Sequence, residues 1–136
     1  MIVSLRGLIG VNTRSLAHWL CWSGCLGLLS YISHIHVGTA AYPGYNWQIQ
    51  AVSDLTAAGS PSFTAAIGFA STANALQGLC AAVMAILVPR NAPKMLRGGI
   101  YLFAAMTWLS TIGYALFPLS ESGMAGASQD IIHVYV

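Results

Sequence analysis

The sequence predicts an all-α fold: a polytopic transmembrane helical bundle with three complete spans and the start of a fourth. Three observations predict it. Only five Lys or Arg and three Asp or Glu occur in 136 residues, a charged fraction of 6%, where a soluble domain carries about 25%. The hydrophobic fraction is 57% and the mean hydropathy +0.70, so lipid is the solvent that suits this surface. Finally, the charges sort themselves between the two ends of the apolar stretches. The net charge of +2 is small and dispersed, without the basic run that a nucleic-acid partner requires. At this length one compact unit is expected.

The elements follow in chain order. Residues 1–14 form a short N-terminal segment carrying Arg6 and Arg14. The first span covers 15–37; about 20 helical residues cross a hydrocarbon core of about 30 Å. Trp19 and Trp22 fit an interfacial aromatic belt, with His18 beside them. A cleaved signal peptide with a processing site at Gly38-Thr39-Ala40 is the rival reading, but its apolar core would be shorter. A polar loop, 38–62, contains the turn Tyr42-Pro43-Gly44-Tyr45. The second span covers 63–88 and ends at Pro89; the loop 89–97 carries Arg90, Lys94 and Arg97. The third span covers 98–117, closed by Pro118, and the loop 118–130 carries Glu121 and Asp130. Residues 131–136 begin a fourth helix too short to cross, so the chain is expected to be a fragment of a larger bundle. The rest of that bundle, or a second copy of the chain, is then the expected partner within the bilayer.

All five cations lie on one side and all three anions on the other. Under the positive-inside rule this puts the N-terminus in the cytoplasm of a multi-pass cell-membrane protein. Cys21, Cys25 and Cys80 all fall in apolar stretches and read as small packing residues. The second span is crowded with small residues, and Gly68 with Thr72 or Gly78 with Ala82 would let helices approach closely. Asn74 and Gln77, one turn apart in that span, either line a substrate path or join helices by hydrogen bonds.

The residues that could carry chemistry gather at the anionic end. His34, His36, Asp54, Asp130 and His133 are candidate ligands for a divalent metal such as Zn²⁺, and Asp54, Asp130 and His133 are candidates for acid–base catalysis. His34 and His36 are two apart and point away from each other on a helix, whereas Asp130 and His133 share a face. No resident cofactor is predicted: nucleotide-binding loops, zinc-protease and serine-hydrolase motifs are missing from the sequence, and haem would need facing histidines within the bilayer.

The order Tyr42-Pro43-Gly44-Tyr45, Ser53-Asp54-Leu55, Gly59-Ser60-Pro61, Phe117-Pro118 and His133 resembles a bacterial and archaeal membrane family catalogued as domain of unknown function 998 (DUF998). The resemblance covers roughly residues 30–136, with Leu119-Ser120-Glu121 standing where an Asp often follows the Phe-Pro pair. It implies a bundle of about six spans and draws attention to Ser53, Asp54, Pro61, Phe117, Pro118 and His133, but it implies no activity. Two readings follow. One is a transport, sensing or assembly component whose outer loop is a structural cap, with Ser53 and Asp54 capping a short helix. The other is a membrane hydrolase or metal-dependent enzyme with its site at the outer face.

Overall fold

A computed structural model describes residues 13–120 and 128–135. In order, they form α1 (Thr13–Ala41), a 3₁₀ turn (Val52–Thr56), α2 (Phe63–Leu87), α3 (Lys94–Leu116) and α4 (Ser128–Tyr135). The fold is all-helical, and α1, α2 and α3 are each long and apolar enough to cross a membrane. Arg6 and Glu121 lie outside the described residues.

Prolines set most of the boundaries. α1 runs past the expected end at Val37 to Ala41, because nothing in Gly38-Thr39-Ala40 breaks an established helix. It stops where Pro43 disfavours helical geometry for Tyr42. The following turn closes through a Tyr45 N–H to Tyr42 carbonyl bond of 3.2 Å, with Gly44 at φ 78°, a conformation that glycine adopts without strain. α2 ends just before Pro89 and α3 just before Pro118. α3 begins at Lys94, earlier than the expected Gly98, with Pro93 as its N-cap residue, a position where a missing N–H costs no helical hydrogen bond.

α1 and α2 pack as an antiparallel pair. A Cβ placed on Gly24 would lie 4.0 Å from Cys80 Sγ, one on Gly27 3.3 Å from Leu76 Cβ, and one on Gly38 3.4 Å from Ala66 Cβ. The buried stripe of α1 is Ser23, Gly27, His34 and Gly38, and the Ser30 hydroxyl crosses to the Phe69 carbonyl at 2.8 Å. On its other side α2 meets α3, where a Cβ placed on Gly78 would lie 3.5 Å from the Trp108 ring. α1 and α3 do not touch each other, so α2 is the central helix of an open layer. The close approach expected at Gly68 and Thr72 is not used among the described residues: Gly68 faces open space, and Thr72 bonds its carbonyl within the helix. Cys21 and Cys25 are exposed on α1 rather than packed between helices.

Residues 52–62 fold back over one end of the layer. Leu55 is 0% exposed and touches the Gly38 position. The hydroxyls of Ser60 and Ser62 both donate to its carbonyl, at 3.2 and 2.7 Å, and Ala58 N–H bonds the Leu119 carbonyl at 2.9 Å. Leu55 is therefore the anchor that seats the cap. Replacing it (Leu55→Ala) should cost about 2–5 kcal/mol, while Leu55→Met should cost less than about 1.5 kcal/mol. Unfolding of the purified chain in detergent measures both, and equal stability of the two variants would contradict the anchoring role.

Candidate functional site

Because α1 and α3 stay apart, a cavity of about 750 Å³ opens between them under the cap. Its floor is one face of α2, including Ile67, Ser71 and Asn74; its walls include Tyr31 and His34 of α1 and Thr111 and Tyr114 of α3. Ser53, Leu119 and His133 contribute to its roof. Asn74 lies near the middle of the 25-residue α2, so the cavity descends about 16 Å from the start of that helix at 1.5 Å per residue.

His34 is 4% exposed, and neither Nδ1 nor Nε2 has a hydrogen-bond partner. Its ring stands edge-on to Tyr31 with centroids 6.0 Å apart. A neutral imidazole carries one donor and one acceptor, and leaving each buried and unmatched costs about 1–3 kcal/mol. His34 lies inside α1, which runs on to Ala41, and it shares the buried stripe of that helix with Gly27 and Gly38. His36 is exposed on another side of the helix, as the two-residue spacing requires.

His133 also faces the cavity. Its Nδ1 lies 2.8 Å from the Phe117 carbonyl, which can only accept, so Nδ1 carries a proton and donates. The ring packs on Tyr114 at 4.7 Å. Two Tyr–His pairs thus stand on opposite sides of the cavity.

The acids are placed differently. Asp130 is 1% exposed; its Oδ1 accepts the Ser120 N–H at 2.8 Å, and the Ser120 hydroxyl lies 2.7–2.8 Å from both carboxylate oxygens. Gln129 Nε2 donates to the Pro118 carbonyl. Asp130, Gln129 and His133 thereby dock α4 onto the strap that leaves α3, and Asp130 does not line the cavity. Asp54 is buried in the cap, where its Oδ2 accepts the Ala51 N–H at 3.2 Å and its own N–H bonds the Ala51 carbonyl at 3.1 Å. Asp54 therefore closes the 3₁₀ turn from its third position. Ser53 does not cap, because Ala51 is the N-cap residue; Ser53 lines the cavity roof instead.

Burial pushes the Tyr45 phenol up, and the nearby Asp54 charge and Tyr31 add to the effect. The Tyr45 hydroxyl thus stays a donor, 3.2 Å from the Ala51 carbonyl. Asn74 lines the cavity while Gln77, one turn on, is exposed and outside it. Among the described residues, no three of His, Cys, Asp and Glu come together as a metal-holding group. The sequence reading missed Tyr31, Ser71, Thr111 and Tyr114. Of these, Tyr31 had a signal in its three-residue spacing from His34.

No protein-family model, no curated protein and no solved structure matches the chain.

The docking role of Asp130 is open to a direct check. Asp130→Ala strands the Ser120 N–H and hydroxyl and should cost about 1–3 kcal/mol, with faster amide hydrogen exchange across 128–135. Asp130→Asn, which keeps one acceptor, should fall between the two. Unchanged exchange in α4 would count against the docking.

Proposed function

We propose that the chain is the solute-binding part of a membrane transport component, with the capped cavity as a half-channel. The observation that carries this reading is the cavity itself. In a chain with so few charged residues, His34, Ser53, Ser71, Asn74, Thr111 and His133 converge on one space that reaches mid-helix. Polar and ionisable groups at membrane depth are costly and mark pathways when they face a cavity, and transport sites lie near the bilayer midplane.

The charge partition supports an orientation with the N-terminus cytoplasmic and the cap outside. Arg14, Arg90, Lys94 and Arg97 belong to the opposite end from Asp54 and Asp130. In this reading solute enters through the capped end. The cleft between α1 and α3 is where further helices, or a second copy of the chain, would complete the wall. The DUF998 resemblance belongs to the same proposal. Its motif positions Ser53, Asp54 and Pro61 fall in the cap, Phe117 and Pro118 in the strap, and His133 on the α4 that docks to that strap, which supports reading them as a shared lid architecture. The hydrolase reading has less support, because Asp54 serves its own turn and Asp130 serves Ser120.

Cysteine labelling tests the half-channel. In a background with Cys21, Cys25 and Cys80 replaced, Asn74→Cys should react with a membrane-impermeant maleimide added from the capped side. Gln77→Cys, one turn further along and outside the cavity, should stay protected by lipid. Protection of both positions would defeat the proposal.

A further inference from the structure

Whatever occupies the cavity must satisfy His34, whose two ring nitrogens are buried without partners on a wall of that space. The lining contains no Lys or Arg and no carboxylate. Its polar groups are hydroxyls, one amide and two imidazoles, every one of which can accept a hydrogen bond. The four described Lys and Arg residues lie at the other end of the helices, away from this space. Three aromatic rings, Tyr31, Phe63 and Tyr114, also line the space, and aromatic faces attract cations.

We infer that the cavity takes a small organic cation, an alkyl- or arylammonium whose N–H donates to His34 while its hydrocarbon part lies against Tyr31, Phe63 and Tyr114. This rests on the half-channel reading and adds to it the class of solute. An anion finds no Lys or Arg in the lining to pair with. A neutral alcohol satisfies His34 but lacks the attraction of a cation to the ring faces.

Four probes of one shape test the proposal: benzylammonium, benzyltrimethylammonium, benzyl alcohol and benzoate, titrated calorimetrically into the purified full chain in phosphatidylcholine nanodiscs. Benzylammonium should bind at least about tenfold more tightly than benzyl alcohol or benzoate, and more tightly than the quaternary probe, which has no N–H to give. His34→Leu should weaken benzylammonium binding roughly tenfold while leaving the unfolding temperature of the ligand-free chain unchanged or raised, since an unmatched buried ring is gone. Should that variant fail to fold, His34→Gln, which keeps an acceptor, should retain measurable binding.

Benzoate or benzyl alcohol binding as tightly as benzylammonium overturns the inference, as does benzylammonium binding that His34→Leu leaves unchanged. Failure of benzylammonium to bind while Asn74→Cys is still labelled removes the solute class and leaves the half-channel. Failure of both removes the half-channel too.

Discussion

Lipid tails are as apolar as leucine, so helices in a bilayer gain little by hiding hydrocarbon from their surroundings. They associate through close van der Waals fit and a few hydrogen bonds. Here the fit is the antiparallel seam of α1 and α2, where Gly27 and Gly38 leave space for Leu76, Leu55 and Ala66. Ser30 adds a hydrogen bond to the Phe69 carbonyl across that seam. Everything else in the structure is arranged on this pair. α3 packs on the opposite side of α2, its Trp108 ring against Gly78, and the cap is anchored where Leu55 enters the seam at Gly38.

The same seam explains why a cavity exists. His34 falls on the stripe of α1 that carries Gly27 and Gly38, so it is turned inward rather than toward lipid. With α2 holding α1 and α3 apart, the space beside that stripe is left unfilled. The cap and the docked α4 roof it over. Their polar side chains are spent on holding the roof together: Asp54 on its own turn, Asp130 on Ser120, His133 Nδ1 on Phe117. What remains available inside are hydroxyls, an amide and imidazole nitrogens.

This division of labour separates two kinds of candidate residue that look alike in the sequence. Asp54 and Asp130 are buried with acceptor geometry already in use, and neither lines the cavity. His34 and His133 face the space itself. A titratable ring with no partner in a nearly uncharged chain is costly to keep, and occupancy of the cavity is what relieves that cost.

Much of the fold was legible in the sequence, because length, hydropathy and proline placement act locally. The spans, their termination before Pro89 and Pro118, the turn at Pro43-Gly44, and the opposed faces of His34 and His36 all follow from helical geometry. The shared face of Asp130 and His133 follows too, although their role on the Phe117–Ser120 strap does not. The sequence by itself determined an all-helical, membrane-compatible chain with its charges sorted to two ends. Only the tertiary structure decided that Gly27 and Gly38, rather than Gly68, form the seam. It also decided that α1 and α3 stay apart, and that Tyr31, His34, Tyr114 and His133 meet around one cavity. Those outcomes depend on which face of each helix finds a partner, and a periodic pattern of small and apolar residues in lipid offers several faces of nearly equal merit.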